Sequence, residues 1–385
     1  MARLFGSQSS LREANCASIL DCIHRCGAMT QIELAESTGL STATISTLVR
    51  QLVAANRLTT QGTVRNGRRA TLVALSHQKG LTVGLHISRH NLLLSILDTS
   101  QQIVAEHNLP LARGHKTDTT LGRAMVLLNE TLNNIGARAE EVLGIGVAVS
   151  APVDRISHTI ALPGILPGWE GNDIIGPFSE AFHVPVVIDN DANASAECER
   201  TMGSAQGKTD FVYVNAGEGV GSGIVINGCL HRGVTGLAGE IGHIQVDPLG
   251  SICTCGNRGC LDTLVGEDSL VSLLSVTHGN MTLADLVEKA TKGDPGCRKV
   301  ISDAAIRIGD VCADLCISVD PEVVVLGGML SEAGDDFRKP FSQALQRLLF
   351  PFVVKPIQVI PARYPMDGPS LGIALMALRK AENRQ

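Results

Sequence analysis

With 385 residues, 44% of them hydrophobic, and no apolar run long enough to span a bilayer, the chain has room for two or three structural units and excludes a membrane-spanning protein. Eleven Cys, an odd number, behind a start that lacks a charged-then-apolar signal pattern, argue against a secreted disulfide framework and for a cytoplasmic protein. The net charge of −6 hides a split: residues 1–79 hold nine Lys and Arg against four Asp and Glu, and the remainder 23 against 34. A basic head on an acidic body points the head toward a polyanion.

In the head, Cys16, Ile19, Leu20 and Ile23 repeat on one helical face. Thr30 and Glu33 form a capping-box pattern that opens a short second helix, which Gly39 ends. Ser41 is placed to cap a third helix, in which Ile45, Leu48, Val49, Leu52 and Val53 make the buried stripe. Its first turns and opposite face carry Ser41, Thr42, Thr44, Thr47 and Arg50, small, polar or positive residues suited to a major groove. Two strands, 57–60 and 71–75, then flank a turn containing Arg65, Arg68 and Arg69, a basic wing suited to phosphate or a minor groove. Helix, Gly turn, second helix and basic hairpin in this order predict a winged helix-turn-helix that binds double-stranded DNA over residues 1–78.

From residue 79 to 385 predicted strands alternate with helices, which implies α/β architecture. Strands are expected at 81–87, 92–98, 142–150, 184–189, 211–215, 223–226 and 322–326, and helices at 120–135, 192–203 and 302–319. Strand ends rich in Gly pairs or Asn-Asp suggest ligand groups there.

His243 is followed by Cys253, Cys255 and Cys260. One His and three Cys complete a tetrahedral site, so the expectation is a structural Zn2+ with no open coordination position for catalysis. Gly256 and Gly259 let the chain turn tightly around it.

The segment "GLAGEIGHIQVDPLGSICTCGNRGCLDTL" resembles the signature of the ROK family of repressors, open reading frames and sugar kinases. "VVIDNDANASAECE", "GEGVGSGIVINGCLHRGVTGLAGEIGH" and "PEVVVLGGML" agree with it, and the N-terminal head belongs to the pattern of the repressor branch, whose relatives include repressors of N-acetylglucosamine, glucose and xylose systems. The resemblance implies an actin-like body of two α/β lobes around a cleft, one lobe at about 79–190 plus 370–385 and the other at about 191–365. It implies a sugar site at Asn190, Asp191, Glu240, His243 and Asp262, with His243 serving zinc and sugar through its two ring nitrogens. Asp191 stands where the kinases have their general base. Asp262 replaces the usual Glu, and Gly164 an Asn, so sugar preference is expected to differ.

The kinase pattern Asp-x-Gly-Gly-Thr is replaced by His86-Ile87-Ser88-Arg89-His90, and Glu218 stands where the second phosphate loop has Thr. A carboxylate there repels nucleotide phosphates, so no ATP is expected, no enzyme activity is expected, and Asp191 is a vestigial base. The expected function is a DNA-binding repressor of carbohydrate genes, a homodimer or homotetramer whose operator affinity changes when a sugar or amino sugar enters the cleft. The alternative is a sugar kinase with a DNA-binding head. Control by a phosphotransfer protein instead of free sugar is a further partner the family allows, and no membrane partner is expected.

Overall fold

A computed structural model describes residues 8–383 other than 27, 56, 66–67, 76–79, 163 and 350–355. The chain divides into two compact units, residues 1–79 and 80–385.

The first unit contains α1 (Gln8–Cys26), β1 (Met29–Thr30), α2 (Gln31–Thr38), α3 (Thr42–Ala54), β2 (Leu58–Arg65) and β3 (Arg68–Leu75), with the sheet order β1-β3-β2. The capping box forms: the Glu33 amide donates to Thr30 Oγ1 at 3.3 Å while Glu33 Oε2 accepts from the Thr30 amide at 2.8 Å. Gly39 closes α2 at φ 70°, and Ser41 Oγ accepts from the Thr44 amide at 3.1 Å to start α3. Ile19, Ile23, Leu34, Ile45, Val49, Leu58 and Val73 fill one core between the three helices and the hairpin. The wing strands are longer than the sequence suggests. Val64 pairs with Arg69 and Arg65 with Arg68, so the ladder takes in residues read as turn.

The second unit opens with an antiparallel trio, β4 (Leu81–Ile87), β5 (Asn91–Asp98) and β6 (Ile103–Pro110), then α4 (Thr117–Asn134), β7 (Val142–Val149), α5 (Gly176–Phe182) and β8 (Val186–Asn190). These five strands form one mixed sheet in the order β6-β5-β4-β7-β8, with β4, β7 and β8 parallel. Next come α6 (Asp191–Met202), β9 (Phe211–Ala216), β10 (Val220–Ile226), β11 (Cys229–His231), the helices α7 (Asp262–Val265), α8 (Glu267–Ser272), α9 (Ser275–His278), α10 (Leu283–Thr291) and α11 (Pro295–Val319), then β12 (Val323–Gly327), α12 (Asp335–Leu348), β13 (Gln358–Pro361) and α13 (Gly368–Glu382). Their sheet runs β11-β10-β9-β12-β13, with β9, β12 and β13 parallel. The expected α/β fold with a winged helix-turn-helix and two sheet-based lobes is the observed one. In this unit three strands escaped prediction: β6, β11 and β13 lie at sheet edges with exposed residues and lack the apolar runs of buried strands.

The C-terminal helix α13 lies directly on the first sheet. A Cβ on Gly84 would stand 1.8 Å from the Ser370 carbonyl oxygen, and one on Gly146 2.3 Å from that of Ile373. Both glycines therefore permit a backbone-to-backbone approach that no side chain allows. Gly84→Val is expected to cost about 3 kcal/mol or more, the upper range for overpacking, because backbone must move. Urea denaturation followed through the buried Trp169 measures this, and an unchanged midpoint would contradict the close packing.

Candidate functional site: a cleft, a Cys/His cluster and a helix face

The carboxyl ends of parallel strands from both sheets meet at one cavity of about 1340 Å³, lined among others by His86, Ser150, Asn190, Asp191, Asn215, Glu218, Glu240, His243 and Asp262. Ligand groups gather at such strand ends because the backbone there is free to turn into loops. All five residues assigned to the sugar site by resemblance line this cavity.

Asp191, at the start of α6, is the best organised of them. Its Oδ2 accepts from Ser150 Oγ at 2.7 Å and from Asn215 Nδ2 at 3.3 Å, and its Oδ1 accepts from the Ala192 amide at 2.8 Å. His86 Nε2 lies 3.7 Å from the same Oδ2 and 3.2 Å from Ser150 Oγ. These donors hold the carboxyl group of Asp191 in place at the edge of the cleft it lines. Asn190 has a structural task as well: its Oδ1 caps α6 by accepting from the amides of Ala192 and Asn193, and its Nδ2 donates to the Ala151 carbonyl at 3.3 Å. Glu240 is nearly enclosed, and burial with the charges of Asp191 and Asp262 raises its pKa to about 8. It thus carries its proton near neutral pH and offers both a donor and an acceptor to a hydroxyl. Asp262, one methylene shorter than the family's Glu, binds inward, accepting from the Val220 amide at 2.8 Å through Oδ1. Burial raises its pKa as well. Three carboxyl groups lining one cavity suit a polyhydroxyl ligand, whose hydroxyls need several oxygen partners.

Ser150 and Asn215 were not singled out from sequence, although each ends a predicted strand, the place where ligand-facing groups collect. The strands showed where to look. Which side chain faces Asp191 depended on packing of two sheets.

The ligand atoms of His243, Cys253, Cys255 and Cys260 all lie within 4.8 Å of one another. Cys253 Sγ is 3.6 Å from His243 Nδ1, and Cys255 Sγ is 3.7 Å from Cys260 Sγ. Ligands about 2.3 Å from a tetrahedral zinc stand roughly 3.8 Å apart, so the cluster has the dimensions of such a site. The loop closes through the Cys253 amide donating to Asn257 O at 2.7 Å and the Gly256 amide to Cys253 O at 2.9 Å. Gly259, at φ 66°, has no room for a side chain: a Cβ would stand 1.5 Å from the Asp247 carbonyl oxygen. With Nδ1 turned to the thiols, His243 presents its opposite edge to the cleft it lines.

On the head, Ser41, Thr42, Thr47 and Arg50 are exposed along α3, and Thr44 is half-buried. Ser41 Oγ is engaged by the cap and lies 2.8 Å from Thr44 Oγ1. Thr47 Oγ1 donates back to Ala43 O at 3.0 Å and Arg50 Nε to Ser46 O at 3.4 Å, contacts a partner can replace. Arg12 of α1 donates to Gln51 on the same stretch of α3, a cation the sequence reading did not place there. The side chains of Arg65, Arg68 and Arg69 lie outside the described residues. No helix among the described residues is long and apolar enough to cross a membrane.

The sequence model of the ROK family matches residues 82–380, and that of the MarR family matches residues 14–69. Similar curated proteins include the Xylose repressor of Bacillus spizizenii, 23% identical over 373 residues that make up 96% of each chain. The DNA-binding transcriptional dual regulator NagC of Escherichia coli is 28% identical over 343 residues, 85% of this chain and 83% of that one. Among solved structures, a ROK family transcriptional regulator described as a homolog of the E. coli MLC protein matches with a TM-score of 0.80 over 97% of both chains at 22% identity, a likeness of fold.

Proposed function

The chain belongs to the ROK family, and from that premise we propose that it is a transcriptional repressor whose operator affinity is set by a sugar or amino sugar in the cleft. The observation that carries this reading is that the xylose repressor aligns with head and body together, 96% of each chain. The head supplies a positively charged helix face for the major groove, and the Arg-bearing wing adds contacts to phosphate or minor groove. In the body, Asp191, Glu240 and Asp262 with His243 grip sugar hydroxyls, while Zn2+ on His243, Cys253, Cys255 and Cys260 holds the loop that presents His243 and fixes its tautomer. Sugar acts on DNA binding only if it favours one arrangement of the protein over another, so the assembly that grips DNA, a homodimer or homotetramer, must differ between the two. The genes it controls are those of carbohydrate uptake and use, and it acts in the cytoplasm. A phosphotransfer protein is a second partner compatible with this scheme.

The kinase reading draws on Asp191, which keeps the place of a general base. Against it stands Glu218, whose carboxylate occupies the turn of Ser88 and Arg89 that replaces the kinase phosphate-loop pattern.

Fluorescence anisotropy with DNA from upstream of the protein's own gene and of neighbouring sugar genes, at fixed salt, tests the proposal. Specific binding that changes at least about tenfold with one of xylose, glucose or N-acetylglucosamine is the expected result. Absence of specific binding together with ATP-dependent sugar phosphorylation would replace it with the kinase reading. On the same probe Arg50→Ala is expected to weaken binding and, where Arg50 meets phosphate, to lower the slope of log affinity against log salt by about one. An unchanged affinity and slope would remove Arg50 from the interface.

A further inference from the structure

Beyond Asp191, the cleft contains an anion cradle that is already filled from within the chain. Ser88 Oγ donates to Glu218 Oε1 at 2.9 Å, the Arg89 amide donates to Oε2 at 2.9 Å, and Arg89 Nε lies 3.7 Å from the same oxygen. The Arg89 guanidinium also donates to the Glu218 carbonyl. A hydroxyl, a backbone N–H and a guanidinium converging on two oxygens are the donors a phosphate takes. Here the acceptor is a carboxylate from the opposite lobe: Ser88 and Arg89 follow β4 of the first sheet, and Glu218 sits in the turn between β9 and β10 of the second. Neighbouring side chains are paired across the cleft in the same way. His90 Nε2 is 3.0 Å from Glu267 Oε2, and both Arg89 and Arg113 pair with Asp268.

The cradle lines the same cavity as Asp191, just past two of its neighbours at the ends of β4 and β9. His86, 3.7 Å from Asp191 Oδ2, is two residues before Ser88, and Asn215, 3.3 Å from it, is three before Glu218. A phosphate carried on a hydroxyl at Asp191 would therefore extend into the place Glu218 holds, where it meets a like charge and finds its donors taken. We infer that Glu218 is a specificity-determining residue that restricts the cleft to unphosphorylated ligands, so that the effector is a free sugar and neither a sugar phosphate nor a nucleotide enters. The free-sugar half rests on the function proposed above, whereas the exclusion of phosphate does not.

Isothermal titration calorimetry on the full chain, on Glu218→Thr and on the near-isosteric Glu218→Gln separates the two halves, with thermal melting to show that each variant folds. The first probe is inorganic phosphate. The unaltered chain is expected not to bind it at millimolar concentration, and the variants to bind at least about tenfold more tightly as the like charge leaves. Phosphate affinity that both folded variants leave unchanged would overturn the assignment. The second probes are glucose and N-acetylglucosamine against their 6-phosphates. A preference of the unaltered chain for a free sugar by at least about 100-fold is expected, narrowing in the variants. A 6-phosphate that binds the unaltered chain as well as its parent sugar would sink the inference. If neither sugar nor ester binds but the variants gain phosphate, the sugar reading fails and the exclusion stands.

Discussion

Cys260→Ser is expected to strip the metal from the body and to lower its melting temperature by roughly 5–10 °C. Cys260 is fully buried, its Sγ lies 3.7 Å from that of Cys255, and Gly259 beside it is wedged against Asp247. A structural zinc contributes about 10 kcal/mol or more where the site forms only on folding, so losing one of three thiolates and the ion removes at least about 3 kcal/mol even after the loop relaxes. Serine is a poor zinc ligand and leaves three donors facing one another without a cation. Elemental analysis of the purified chain is expected to find about one zinc per chain and almost none in the variant. Cys229→Ser is the control, because that thiol is exposed on β11 and outside the cluster. A purified chain that contains no zinc, or a Cys260→Ser variant that melts with the parent, would refute the metal site. Because the same loop carries His243 into the cleft, metal loss is also expected to weaken the response to sugar.

Asp191→Asn is expected to weaken effector binding by about 100-fold while leaving operator binding within about twofold, so that the variant represses without release. The estimate follows from losing two charge-assisted hydrogen bonds, each worth about 1.5–3 kcal/mol, to sugar hydroxyls. Ser150 and Asn215 donate to the native carboxylate. Against an amide, those donors face an NH2 group in one orientation, and in the other the NH2 faces the ligand, so one side is always mismatched. Calorimetry with the responsive sugar and anisotropy with the operator read the two effects separately. Undiminished sugar binding would move the sugar site away from Asp191, and a parallel loss of DNA binding would mean that the substitution damages the fold.

These two residues show how unequally the site was legible. His243, Cys253, Cys255 and Cys260 could be grouped from sequence because three thiols within eight residues can only be local, and local spacing is what sequence preserves. The head was legible for the same reason: a capping box, a Gly stop, an Ser cap and a 3.6-residue stripe are interactions between near neighbours. The parts of the cleft that depend on distant residues were not. Asp191 could be named from its resemblance, but nothing in the order of residues states that Ser150 and Asn215 would hold it, 41 and 24 positions away. Glu218 was read as a repulsive charge in a lost phosphate loop. Its bonding to Ser88 and Arg89, across some 130 positions, exists only because two sheets bring their strand ends together.

The sequence by itself thus determined the α/β class, the winged head, the grouping of one His with three Cys and the residues that stand at the phosphate-loop positions, since each is written in short-range pattern or in single side-chain identities. Tertiary structure alone decided that β6, β11 and β13 complete the sheets, that Asp262 turns to the Val220 amide, and that Glu218 fills the cradle opposite it. The reason is physical. Hydrogen-bond partners and burial are settled by which surfaces meet, and surfaces meet according to long-range packing that no local pattern encodes.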